Sequence, residues 1–171
     1  DDAERLPPAG SPLALVIAPT RELALQVQSE LQWLYAETGA RIASCIGGTD
    51  ARREARSLSN GAHIVVGTPG RLCDHLSRGN LDLSNVRAVV LDEADEMLDL
   101  GFRDELEKLL DAAPEDRRTL LFSATIAREI ANLARRFQKN AERINTVSTT
   151  KQHSDITYQC VVTSPNEIGR A

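Results

Sequence analysis

Short apolar runs rich in β-branched residues recur along this chain, each followed by a stretch with helical spacing, and that alternation narrows the folds open to it. LALVIAP (13–19) is continuously apolar, as a strand buried on both faces requires. Thr20 then opens RELALQVQSELQWLYAETG, where Leu23, Val27, Leu31 and Leu34 recur at helical spacing. Thr20 suits the N-cap, Glu22, Glu30 and Glu37 keep the outer face polar, and Gly39 ends the helix. The pattern continues with RIASCIGG (41–48) as a strand and DARREARSLSNG as a short basic helix started by Asp50. AHIVVGTP (62–69) is the third strand, GRLCDHLSRG a helix closed by Gly79, and VRAVVLDE (86–93) the fourth strand. ADEMLDLGFRDELEKLLDAA is helical in two pieces broken around Gly101, RRTLLFSAT (117–125) is a strand, 126–140 a helix and RINTVST (143–149) a sixth strand. Such an order predicts βαβ units, hence an α/β fold with a mostly parallel sheet covered by helices on both sides. Residues 1–12, with Pro7, Pro8, Gly10 and Pro12, read as an exposed approach segment to a domain spanning 13–147. Residues 148–154 read as a linker, and 155–171 as the start of a second domain, opened by the strand DITYQCVVTSP (155–165).

Composition removes several functions. With 42% hydrophobic residues in 171, the chain can build a core, so wholesale disorder is excluded. No apolar run reaches membrane-spanning length. The net charge of -5 argues against a surface that attracts nucleic acid everywhere, leaving room for a local basic patch. Aromatics at 4% are too few for a base-stacking platform, and Trp33 and Tyr35 read as packing residues. Cys45, Cys73 and Cys160 have no metal-ligand spacing and fit a reduced, cytoplasmic setting, Cys73 as a packed helix residue. His63, His75 and His153 have no ligand-spaced partner and are assigned neither metal nor catalysis. The chain opens at Asp1 without a leader-like segment, which reads as a start inside something longer.

An open parallel sheet binds ligands beyond the carboxyl ends of its strands. The chemistry-bearing groups fall at such ends: Pro19, Thr20, Arg21 and Glu22; Gly47 and Gly48; Thr68, Pro69, Gly70 and Arg71; Asp92 and Glu93; Ser123 and Thr125. Asp92 at a strand tip can hold Mg²⁺ through water beside nucleotide phosphates, and Glu93 can orient an attacking water, although strands also end in acids simply where solvent begins. Ser123 and Thr125 either bond back to Asp92 or Asp95 or cap the next helix. Arg21 and Arg71, each in the first turn of a helix, pair a guanidinium with free backbone N–H groups, a combination that suits phosphate. Gly47 and Gly48 allow close backbone approach or form a turn. The basic run Arg52, Arg53, Arg56 includes Glu54 and reads as a solvated face.

Five strings in order, PTRELA (19–24), GG (47–48), TPGR (68–71), DEAD (92–95) and SAT (123–125), with LDLGF (98–102) behind the fourth, resemble the DEAD-box RNA helicase family over about residues 13–147. The resemblance implies the first of two RecA-like domains in an ATP-dependent RNA helicase or RNA chaperone that unwinds short duplexes locally. Asp92 would coordinate Mg²⁺ through water, Glu93 would activate the water attacking ATP, and Asp95 would couple to Ser123 and Thr125. Thr20, Arg21 and Glu22 with Gly48, Thr68 and Arg71 would form an RNA track reading the sugar–phosphate backbone. Rival readings are another superfamily-2 ATPase acting on DNA, and a catalytically inactive RNA- or protein-binding fragment.

The chain also departs from the family. Its phosphate-binding loop, G-x-x-x-x-G-K-S/T, occurs nowhere in the 171 residues, and neither does the glutamine motif before it. The chain by itself is therefore expected not to hydrolyse ATP, and the RecA-like domain is expected to be incomplete on its N-terminal side. The strand leading into that loop is expected mid-sheet, so the reading predicts an unusually apolar groove there, or an upstream segment or second chain filling it.

Overall fold

The structure, a computed structural model, describes residues 5–145. The chain divides into two compact units, residues 1–140 and 141–171. The first carries five strands, β1 (Ala14–Ile17), β2 (Ile42–Cys45), β3 (Ile64–Gly67), β4 (Ala88–Leu91) and β5 (Arg118–Leu121). Its helices are α1 (Arg21–Leu34), α2 (Ala51–Ser59), α3 (Pro69–Ser77), α4 (Ala94–Asp99), α5 (Arg103–Ala112) and α6 (Arg128–Phe137). In the second unit, residues 141–145 have no regular secondary structure; the remainder of the strand expected at 143–149, the linker at 148–154 and the strand at 155–165 lie outside the described residues.

All five strands run parallel in the order β2-β3-β1-β4-β5. β1 sits at the centre, with Val16 opposite Val66 on one side and Val90 on the other. The continuous apolar runs follow from burial on both faces, because successive side chains point to opposite sides. Leu15 and Ile17 join a large core with Val65, Val89, Leu91, Leu72 of α3, Met97 of α4, Leu106, Leu109 and Leu110 of α5, and Ile130 and Leu133 of α6. Val16 and Ala18 face the other way into a smaller core with Val66, Ile46 and Ala24 of α1, against which Leu23, Val27 and Leu31 pack.

α1 begins as its sequence predicts: Thr20 Oγ1 accepts the Leu23 N–H at 3.2 Å. Its end differs. Leu34 is 61% exposed and Trp33 76% exposed, so neither is a core residue. A 14-residue helix runs about 21 Å, whereas the four-residue strands beneath it run about 13 Å, so the last turn of α1 overhangs the sheet. Gly39, at φ 71, then turns the chain back.

The expected apolar groove inside the sheet is absent. β1 pairs directly with β4 and β4 with β5, so the ladder is unbroken from β2 to β5. The sheet is instead open at its end. Among the described residues β5 pairs only with β4; its Leu120, opposite Val90, is half-buried, and the following Phe122 is 54% exposed. A strand that adds at the outer edge of β5 would not interrupt the ladder from β2 to β5, which is why no internal gap forms.

His63 is buried at the opposite end of β3, its Nδ1 accepting the Arg41 N–H at 2.9 Å and its Nε2 2.7 Å from the Pro7 carbonyl oxygen. The largely exposed approach segment is thus anchored, with Ala62 N–H also donating to Gly10 O at 3.0 Å. Cys73 packs in the core, its Sγ 3.4 Å from the Glu105 carbonyl oxygen.

At Gly67 an added Cβ would meet the Cys45 carbonyl oxygen on the neighbouring strand and Leu72 at 2.8 Å. Gly67→Ala is expected to cost about 1–3 kcal/mol of stability. Gly70→Ala, where a Cβ meets nothing within 4 Å, should leave the urea midpoint close to that of the parent chain. Urea unfolding of both variants checks the contrast.

Candidate nucleotide and nucleic-acid site

Parallel pairing brings the carboxyl end of every strand to one edge, and the strand order sets what lies beside what along it. From β2 to β5 the edge carries Gly47-Gly48, Thr68-Pro69-Gly70-Arg71, Pro19-Thr20-Arg21-Glu22, Asp92-Glu93 and Ser123-Ala124-Thr125. The glycine and arginine segments occupy adjoining strands on one half. The acids and hydroxyls occupy the other.

On the acidic half, backbone hydrogen bonds chain the strand ends together. Asp92 N–H donates to Ile17 O at 2.9 Å, Phe122 N–H to Leu91 O at 2.8 Å, and Ala94 N–H to Phe122 O at 2.9 Å. Between these pinned positions Glu93 adopts φ 49 and ψ 53. A left-handed non-glycine residue costs on the order of 1–3 kcal/mol and persists where its surroundings over-determine it, as the anchored Asp92 and Ala94 do here. Glu93 is exposed. Asp92 is half-buried, with Oδ1 accepting the Glu93 N–H at 3.1 Å. Among the described residues no donor meets its Oδ2, so the donor set fits a magnesium ion held by one carboxylate through water.

Asp95 is clamped from β5. Its Oδ2 accepts both the Thr125 N–H and the Thr125 hydroxyl at 3.0 Å, while Ser123 Oγ donates to Thr125 O at 2.7 Å. Burial pushes the Asp95 carboxyl up, but hydrogen bonds from Thr125, Ser123 and the backbone outweigh it and hold the group below its ordinary value.

On the other half, Gly48 lies at φ 78, and a Cβ there would run into the Arg21 guanidinium. The left-handed backbone favours glycine at Gly48, whereas the exposed Arg21 guanidinium can swing aside. Thr20, Arg21, Glu22, Gly48 and Gly70 are exposed, Gly47 and Thr68 half-buried and Pro19 and Pro69 buried, so the two prolines shape the surface without presenting much of it. Arg71 is only 17% exposed and turns inward, its Nε 3.7 Å from Glu54 Oε2 and its Nη2 donating to Thr49 O at 3.3 Å.

Sequence reading missed Glu54. It is the acid within the basic run of α2, 7% exposed beneath the exposed Arg52, Arg53 and Arg56. The signal was positional: with Leu58 four residues on, Glu54 occupies the stripe that faces the core. The side-chain ligand atoms of Glu54, Cys45 and His75 lie within 4.8 Å of one another. Burial, reinforced by the Glu54 charge, pushes the Cys45 thiol up to about 12, opposing the thiolate a metal needs. Hydrogen bonds already fill the Glu54 carboxylate, so they account for this cluster.

A parallel sheet with these motifs on its carboxyl edge has the arrangement of a RecA-like domain. The DEAD/DEAH box helicase model matches residues 4–133, and the chain belongs to that family. It is 49% identical over 131 residues to the DEAD-box ATP-dependent RNA helicase CshA of Geobacillus kaustophilus, covering 77% of this chain and 28% of that protein. A probable ATP-dependent RNA helicase of Methanocaldococcus jannaschii is 50% identical over 124 residues, covering 72% of this chain and 34% of the relative. Among solved structures, a DEAD box protein from the hyperthermophile Methanococcus jannaschii superposes with a TM-score of 0.73 at 47% identity, over 77% of this chain and 36% of the other. A yeast DEAD-box splicing factor superposes at 0.72 and 36% identity, over 79% and 34%. The chain thus spans about a third or less of the length of the curated relatives it matches.

Because the folded Asp95 carboxyl titrates below its ordinary value of 3.8, the stability it contributes is fully present above that value and lost as pH falls through the lower folded one. Asp95→Asn is expected to lower Tm by an amount that is constant near neutrality and shrinks in acid. A pH series of thermal melts on both chains checks it.

Proposed function

We propose that this chain supplies one RecA-like domain's share of an ATP-dependent RNA helicase: one half of the magnesium–nucleotide site and one side of an RNA track. The observation that carries this reading is the division of the edge: exposed Thr20 and Arg21 follow β1, which adjoins β4 and its Asp92–Glu93 tip, and exposed Gly48 and Gly70 follow β2 and β3 further along the same edge. Exposed backbone and arginine at helix starts suit phosphates of any sequence, so recognition runs through the sugar–phosphate backbone.

Asp92, with its free Oδ2, is the residue that would hold Mg²⁺ through water. When bound, that ion neutralises charge on the phosphate oxygens of ATP. Glu93 orients the attacking water from its fixed position between the anchored Asp92 and Ala94. Asp95, clamped by Thr125, ties the nucleotide edge to the segment after β5, so a change at the phosphates reaches the chain beyond it. The phosphate-binding loop comes from an upstream segment or a second chain whose strand adds at the outer edge of β5. That edge is unpaired among the described residues and adjoins the acidic half, whereas the other sheet edge, β2, lies at the far end. The remaining arginines of the nucleotide site come from a second RecA-like domain. The setting is cytoplasmic, in keeping with the buried free thiols Cys45 and Cys73.

Fluorescence anisotropy tests the reading directly. The chain should bind labelled single-stranded RNA in preference to DNA of the same sequence, and bind Mg–ATP negligibly without the phosphate loop. Equal binding to DNA would favour a DNA-acting ATPase. In the longer protein carrying loop and second domain, Glu93→Gln is expected to lower ATP turnover by about 10²-fold or more while RNA binding persists.

A further inference from the structure

Glu54 is buried, charged and unused by the nucleotide chemistry. Its carboxylate gathers donors from two separate pieces of the sheet edge. Oε1 accepts the Ile46 N–H at 2.9 Å and contacts the Thr49 hydroxyl, both flanking the glycine pair after β2. Oε2 lies 2.7 Å from His75 Nε2 and 3.7 Å from Arg71 Nε, both on α3 after β3. Arg71 closes the circuit by donating from Nη2 to Thr49 O at 3.3 Å. His75 is held in turn, its Nδ1 3.3 Å from Asn80 Nδ2. The Glu54 side chain is 7% exposed and that of His75 1% exposed, so solvent competes little for these bonds.

We infer that Glu54, with His75, is a positioning residue: it locks the Gly47-Gly48 loop to the start of α3, so that the loop and the Thr68–Arg71 segment present one preorganised surface to RNA. Glu54 touches no RNA itself. Ordering the loop beforehand removes a cost that binding would otherwise bear. Arg71 fits this role, because its guanidinium braces the Thr49 carbonyl oxygen and the Glu54 carboxylate. The inference rests on the proposed RNA role of this edge; the lock itself does not.

Four variants of this chain test it: Glu54→Ala, Glu54→Gln, Thr49→Ala and His63→Ala. Glutamine can keep an acceptor for Ile46 N–H and, with a changed His75 tautomer, a bond to the ring. Thr49 is exposed, so its loss removes one arm of the lock with little risk to folding. His63 is equally buried but sits at the far end of β3, and serves as the control for general destabilisation.

Two readouts are taken: hydrogen exchange at residues 46–49, and affinity for labelled single-stranded RNA. Glu54→Ala is expected to speed exchange there and weaken RNA binding about tenfold, with Thr49→Ala shifting both in the same direction by less. Glu54→Gln should restore most of both, and His63→Ala should change neither beyond its effect on Tm. Unchanged exchange and affinity in Glu54→Ala and Thr49→Ala would overturn the inference, as would an equal loss of RNA affinity in His63→Ala. Faster exchange without weaker binding would also overturn it, leaving a lock with no role in recognition. If the parent chain binds no RNA, the proposed function fails together with the RNA role, and the exchange data separately report whether the lock exists.

Discussion

The pairing of β4 between β1 and β5 is the constraint on which the rest of this structure depends. It buries Val89 and Leu91 in the main core and brings the Asp92 N–H to the Ile17 carbonyl oxygen. It also aligns β5 so that Thr125 reaches Asp95. Because the ladders are parallel, burial of the apolar runs and gathering of the polar segments are one event. A sheet that hides its strands on both faces leaves only strand ends for chemistry, and parallel order collects those ends on a single edge.

Two kinds of polar device work along that edge. The acidic half is held by backbone hydrogen bonds and a surface clamp, leaving Glu93 exposed in a left-handed backbone and Asp92 with an open oxygen. The glycine half is held from beneath by a buried carboxylate. Removing water makes a satisfied carboxylate an effective tie between segments, and makes a missing partner costly. Glu54 and Asp95 thus perform a similar mechanical task in different settings. Asp95 remains within reach of water and titrates below its ordinary value, whereas Glu54 is sealed among Ile46, Thr49, Arg71 and His75.

Much of this was legible beforehand. Strands β1 to β5, the helix starts at Thr20 and Asp50, the break at Gly101 and the placement of every motif at a strand end follow from apolar periodicity and capping chemistry, which act over a few residues. The overhang of α1, which exposes Trp33 and Leu34, was not legible, because helical spacing does not state how long the underlying strands are. The expected mid-sheet groove was misplaced for a related reason: motif order along the chain does not state the order of strands in the sheet, which puts β5 at its end. Glu54 was read as part of a solvated basic face because three arginines beside it are solvated; its burial depends on what packs under α2.

The sequence by itself determined the fold class, the motifs and the family, since local spacing and side-chain type suffice for those. Tertiary structure alone decided which motifs became neighbours. Strand order is set by long-range pairing and packing, and it divided one edge into an acidic half and a glycine–arginine half. It also brought Glu54 against His75, 21 positions later in the chain. A buried charge needs partners on all its open sides, and only the packed fold can supply them from such distances along the chain.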